Sequence, residues 1–271
     1  MADGSVILVE MAAARITRCW NGRKETVAEP GGGPNGAAIG PDGALYVCNN
    51  GGANMAAFGF DDTTVGPGWI ERIDLGTGRS ERLYEACDGR SLSAPNDIVF
   101  AADGSFWFSD LGKTVDHHRE HGGLYLARAD GSVISCAHYG PVHYNGVGLS
   151  PDGRTVYAAE TPSARLYAFD LDGDGNAGKR RMIGTAPGPV MLDSLAITAV
   201  GNIAVAQLLR GGIATFTPDG GVSVIRCPDP FTTNIAFGGV DMRAAYLTQS
   251  NGGRLIRADW PEAGLRLAFN G

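Results

Sequence analysis

One phrase is written five times in this chain. Its clearest copy is Tyr144–Thr161, YNGVGLSPDGRTVYAAET. It opens on a polar anchor, Asn145, and runs through Val147 and Leu149, which alternate with glycines. A Pro151-Asp152-Gly153 turn follows, and the return run through Val156 and Tyr157 closes on Glu160. Two apolar runs joined by such a turn read as an antiparallel hairpin. Four other segments match: Pro34–Asn50 (PNGAAIGPDGALYVCNN), Pro95–Leu111 (PNDIVFAADGSFWFSDL), Leu192–Leu208 (LDSLAITAVGNIAVAQL) and Thr233–Ser250 (TNIAFGGVDMRAAYLTQS). Aligned by residue type, the anchors are Asn35, Asn96, Asn145, Asp193 and Asn234, spaced 61, 49, 48 and 41 residues apart. Periods of this length with a hairpin in each unit point to a propeller, not to a helical solenoid.

Each unit carries a second, more amphipathic hairpin: Trp69–Leu83, Gly123–Ala137, Ala164–Ile183, Gly212–Arg226 and Arg254–Leu267. Two hairpins make a four-stranded blade. The strands VILVE, ARITRCW and ETVAE near the start supply a sixth blade, expected to be closed by strands from both chain ends, which removes exposed sheet edges. The expected fold is all-β: a six-bladed β-propeller of four-stranded antiparallel blades, one domain over residues 1–271, with five or seven blades as the alternatives because the first blade is partial in sequence. The abundance of turn residues, Gly 41 and Pro 14, suits that architecture.

The formal net charge of −7 and the lack of a basic stripe exclude nucleic acid as the expected partner. No run of eighteen apolar residues predicts a membrane span. The opening residues lack a basic segment and a cleavage site, so no secretory signal is expected. The five cysteines, Cys19, Cys48, Cys87, Cys136 and Cys227, are odd in number and isolated; they read as free thiols of a reducing cytoplasm. A monomer or small homo-oligomer is expected.

In a propeller the first strand of each blade lines the central channel, so the anchors converge near one of its ends. An Asn-Gly pair alone reads as a turn. Asn96, Asp193 and Asn234 keep the polar side chain without the glycine, which favours the side chain as the working element. Glu10, closing VILVE, is the candidate from the first blade. Carboxylate and amide oxygens suit a hard divalent cation. Glu10, Asn96, Asn145 and Asp193 are therefore the expected metal ligands. The ion is expected to be Ca2+, with Mg2+, Mn2+, Zn2+ or Fe2+ as alternatives. Such an ion polarises a carbonyl and activates water, with Asp193 as the expected catalytic base. Polar residues also end the second strand of each hairpin: Asn49, Asp110, Glu160, Gln207 and Gln249. They read either as solvated strand ends or as a pocket floor.

These motifs resemble the senescence marker protein, gluconolactonase and luciferin-regenerating enzyme family, from Glu10 to about Ser250. The resemblance implies a six-bladed propeller with one axial divalent cation. It places the ligands on Glu10, Asn145 and Asp193, with Asn96 as ligand or substrate contact, and Asp193 as base. It implies a lactonase acting on a small-molecule lactone. A phosphotriester hydrolase on the same site, a non-catalytic binding propeller and a lyase are the alternatives. In sugar-lactone members an arginine stands two residues before the anchor of the PND motif; here that position is Ala94.

Two inserts are expected to overlie the metal face. Lys113–His121, KTVDHHREH, reads as a lid, with His117 and His121 as substrate contacts beside His143, Asn35, Asn96 and Asn234. Gly51–Gly68 carries Met55, Phe58 and Phe60 as possible walls of an apolar pocket.

Overall fold

The computed structural model describes residues 1, 3–52, 66–115 and 118–270. They fold into two compact units, Met1–His143 with the chain end from Ala268, and Tyr144–Leu267. Each unit holds three main antiparallel sheets in chain order. The fold class is that of a six-bladed β-propeller, as the repeat predicts. The described residues include only one short 3-10 turn, Met11–Ala13, and no helix long and apolar enough to cross a membrane.

In the first unit the first sheet is Val6–Glu10, Arg15–Trp20 and Arg23–Ala28. The second is Pro34–Ile39, Leu45–Asn49, Trp69–Ile73 and Ser80–Tyr84. The third is Pro95–Phe100, Ser105–Asp110, Gly122–Arg128 and Ile134–Gly140. In the second unit the fourth sheet is Tyr144–Leu149, Thr155–Glu160, Arg165–Asp170 and Arg181–Thr185. The fifth is Met191–Ile197, Ile203–Leu208, Ile213–Phe216 and Val222–Ile225; the sixth is Thr232–Gly238, Ala244–Gln249 and Arg254–Asp259.

The turns obey their sequence. In three hairpins an aspartate carboxylate accepts the backbone N–H two residues on: Asp42 from Ala44 (3.1 Å), Asp103 from Ser105 (2.9 Å) and Asp152 from Arg154 (3.1 Å). The intervening Gly43, Gly104 and Gly153 have φ of 76°, 83° and 68°, where a side chain is disfavoured. This is why the phrase is spelled Asp-Gly at the turn.

The first and sixth sheets have three strands each. The first is built wholly from residues 6–28 and the sixth from residues 232–259, so neither takes the strand expected from the opposite chain end. After Arg254–Asp259 the segment Trp260–Leu265 leaves its sheet, since Pro261 lacks the N–H a ladder needs. It instead ties a turn of the sixth sheet to the inner strand of the fifth by backbone bonds, Gly264 N–H to Met242 O and Leu265 N–H to Ile197 O, both 2.8 Å.

Alternate residues of each strand fill the cores. In the first unit Tyr46, Phe100, Phe106, Phe108 and Tyr125 pack with Ile70 and Leu92. Phe106 is fully buried, with ring centroids of Phe100 at 5.2 Å and Tyr46 at 5.9 Å. Phe106→Ala is expected to destabilise the protein by about 3–5 kcal/mol, the usual range for an emptied aromatic site. Urea unfolding measures it; a loss below about 1 kcal/mol would mean the surrounding rings close over the gap.

Candidate functional site

The five inner strands share one irregularity. Pro34 pairs with Asn49, but the next ladder pair is Ala37 with Val47. Two residues, Asn35 and Gly36, thus face one residue of the partner strand, which is a β-bulge. The same break follows the pairs Pro95–Asp110, Tyr144–Glu160 and Leu192–Gln207. It sets Asn96-Asp97, Asn145-Gly146 and Asp193-Ser194 in equivalent places. A bulge re-aims side chains at a strand end, so four of the five anchors occupy one structural position.

The fifth does not. In the sixth sheet the break falls between the pairs Thr232–Gln249 and Asn234–Thr248. Matching the flanking pairs puts Thr233, not Asn234, at the place of Asn35, Asn96, Asn145 and Asp193. Asn234 is the counterpart of Asp97. The two behave alike: each Oδ1 accepts the N–H of the next residue, Ile235 at 2.7 Å and Ile98 at 2.9 Å. Alignment by residue type slipped by one because the copy in the sixth sheet carries Thr where the others carry Asn or Asp; only strand pairing reveals it.

The glycines after Asn35 and Asn145 are not turn residues, for neither has a positive φ. They are required by close approach. A Cβ on Gly36 would lie 2.4 Å from Asn96 O and 2.5 Å from the Asp97 Cα. A Cβ on Gly146 would lie 2.7 Å from both Asp193 O and Leu195 N. The bulges of neighbouring inner strands therefore touch backbone to backbone. In the first unit this joins the bulges of Asn35 and Asn96, in the second those of Asn145 and Asp193.

Asn96 is only 5% exposed, and its Oδ1 has no hydrogen-bond partner among the described residues. A buried amide oxygen left open costs about 1–3 kcal/mol. In the second unit Asn145 is buried and Asp193 half-buried. An amide oxygen and a carboxylate on touching strands are hard oxygen donors, and they fit a divalent cation of the calcium type. Among the described residues no three His, Cys, Asp or Glu side chains group to hold a metal.

Glu10 lies elsewhere in its sheet. Val6–Glu10 lies against Pro34–Ile39 as Leu45–Asn49 lies against Pro95–Phe100. It is thus the counterpart of a second strand, and Glu10 matches Asn49 and Asp110 instead of a bulge residue. Its carboxylate accepts from Arg15 Nε (3.1 Å) and Nη2 (2.7 Å) and from Thr17 Oγ1 (2.5 Å). These bonds, Arg15 foremost, hold its pKa below the usual carboxylate range. The sequence carried a signal of this: VILVE has neither an anchor before it nor a Pro-Asp-Gly turn after it.

The strand-end polar residues of the second and third sheets turn away from solvent. Asp110, 1% exposed, accepts the N–H groups of Ser93, Ala94 and Gly112, each at 2.8 Å. Burial pushes its carboxyl up against the pull of those donors. Asn49 accepts from Gly33 N–H (2.8 Å) and Gly51 N–H (3.1 Å) and donates to Gly31 O (2.9 Å) and Glu71 Oε1 (2.8 Å). Both side chains pin the segment that leads into the neighbouring bulge. Both are buried and are not solvated strand ends.

Of the expected lid, Thr114–Val115 and His118–Arg119 form a small hairpin. His118 and His121 are exposed. The His121 ring lies 5.4 Å from Tyr139, on the outer strand of the third sheet, so it faces that outer strand and not the bulge. His143 is half-buried, two residues before Asn145. His117, Met55, Phe58 and Phe60 lie outside the described residues.

The chain is 34% identical over 193 residues to the 6-deoxy-6-sulfogluconolactonase of Pseudomonas putida, covering 68% of this chain and 64% of that protein. It is 26% identical over 194 residues to the diisopropyl-fluorophosphatase of Loligo vulgaris, covering 65% of this chain and 60% of that protein. It thus spans less than two thirds of the length of these curated relatives. Among solved structures it resembles a calcium-binding protein, regucalcin, from Agrobacterium tumefaciens. That match has a TM-score of 0.75 and 20% identity over 98% of this chain and 91% of that one, and it bears on the fold alone. Residues 1–251 match the family model for the SMP-30/Gluconolactonase/LRE-like region, and the chain belongs to that family.

Proposed function

We propose that the protein is a divalent-cation-dependent hydrolase that opens a small-molecule lactone. The observation that carries this reading is the contact between the Asn145 and Asp193 bulges, which sets an amide and a carboxylate at one register position on adjacent strands. Family membership and the sulfogluconolactonase likeness supply the substrate class.

Asn145 and Asp193 would hold the cation in the second unit. In the first unit Asn96 offers its open oxygen to a cation or to substrate. Glu10, in the first unit, has its carboxylate engaged by Arg15 and Thr17. A bound cation supplies positive charge that polarises the lactone carbonyl. Asp193 is the anionic side chain among the first residues of the described bulges, and it serves as base. It takes a proton from the water whose oxygen attacks the carbonyl carbon. The ring C–O bond then breaks, the leaving oxygen is protonated, and a hydroxy acid departs. Oxygen donors without thiolate or imidazole favour Ca2+ over Zn2+ or Fe2+.

A panel of lactones, assayed by acid release with and without EDTA and with each cation restored, tests this. Turnover that EDTA abolishes and Ca2+ restores is expected. Undiminished turnover after chelation removes the cation from the reading, and no turnover of any lactone removes the activity. A second reading, phosphotriester hydrolysis, draws on the fluorophosphatase likeness. It also draws on the buried Ala94, which offers no charged fork to sugar hydroxyls. Fluoride release from a fluorophosphate, measured beside the lactones, separates the two.

A further inference from the structure

We infer that Thr233 is a substrate-contacting residue, which with Thr248 and Ser250 forms a hydroxyl-binding subsite for a polyhydroxylated lactone. The inference rests on the lactonase reading and adds a recognition element to it. Strand pairing puts Thr233 at the register position held by Asn145 and Asp193 in the two preceding sheets of the same unit. Its strand lies against Met191–Ile197, the strand that carries Asp193.

The chemistry at this position differs from that of its neighbours. Thr233 Oγ1 lies 2.8 Å from Thr248 Oγ1 and 3.0 Å from Ser250 Oγ, with Thr248 O at 3.5 Å. Thr233 and Thr248 are half-buried and Ser250 is exposed, so the cluster is open to a ligand. An uncharged hydroxyl adds little to the binding of a dication beside a carboxylate. It has other uses: each hydroxyl holds one rotatable proton and two lone pairs. The cluster can therefore present a donor or an acceptor as needed, which matches substrate hydroxyls that are themselves both. Asn234, the residue that the sequence pattern singled out, has already committed its Oδ1 to the Ile235 N–H.

The test uses the full chain with two lactones of equal ring size, an aldono-1,5-lactone and δ-valerolactone. Thr233→Val keeps the shape and removes the hydroxyl. The expected result is a loss of about threefold to tenfold in kcat/KM for the hydroxylated lactone, carried by KM, as for one uncharged hydrogen bond. Valerolactone turnover should not change, and Thr233→Ser should recover most of the loss. Equal effects on both lactones, no effect on either, or no recovery by serine overturns the assignment. If the wild type hydrolyses neither lactone, the lactonase reading fails separately. The subsite is then read by titrating a cyclic ether that carries the same hydroxyls and no carbonyl. Wild-type binding that Thr233→Val weakens supports the subsite; absent binding, or identical titrations, overturns it.

Discussion

Asp193→Asn is expected to lower kcat for the best lactone by about 10²–10⁴-fold, the range for loss of a general base. The substitution preserves volume and one carbonyl oxygen, so KM should move far less than kcat. Asparagine also stands naturally at this bulge position in the second, third and fourth sheets, so the fold accepts it there. Steady-state kinetics at saturating cation, with a circular dichroism check of folding, measures the effect. A variant that keeps kcat within about threefold would falsify the assignment of Asp193 as base, since no general-base role is that small.

Gly146→Ala should damage both stability and activity. The added Cβ would meet Asp193 O and Leu195 N at 2.7 Å. Both are backbone atoms on the adjacent inner strand, so no side-chain rotation relieves the clash and the strand itself must shift. Overpacking of this kind costs about 1–3 kcal/mol, and here the displaced backbone carries the proposed base. Gly148→Ala is the comparison. Its Cβ would meet the Leu195 Cδ1 at 2.6 Å and Ile197 side-chain atoms at 3.1 Å and 3.2 Å, which can rotate away. Gly146→Ala is thus expected to lose more turnover than Gly148→Ala at matched folded fraction. The reverse order would mean that the bulge contact does not position Asp193.

The single cation-binding scheme shows how far residue patterns reach. Asn35, Asn96, Asn145 and Asp193 were legible because the phrase around them repeats, with an apolar run after each anchor and an Asp-Gly turn in the first three copies. Thr233 was not legible, because its residue type breaks the pattern while its pairing keeps it. For Glu10 the strand pairing adds what residue type does not show. It ends an apolar run as a ligand strand might, but its sheet begins at a second-strand counterpart, and Arg15 and Thr17 occupy its carboxylate. The glycines beside Asn35 and Asn145 were visible, but their cause lies in the adjacent strand.

The sequence by itself determined the all-β class, the hairpin repeat, its Asp-Gly turns and the repeated polar position. Those depend on local periodicity and on backbone preferences of Asp, Gly and Pro, which act over a few residues. Tertiary structure alone decided which residue fills that position in each sheet, which carboxylates are already engaged, and which side chains pin loops. These depend on register and on contacts between segments distant in the chain, such as Gly146 against Asp193 or Asp110 against Ser93. A one-residue slip in a strand is invisible to composition and changes every side chain's neighbours.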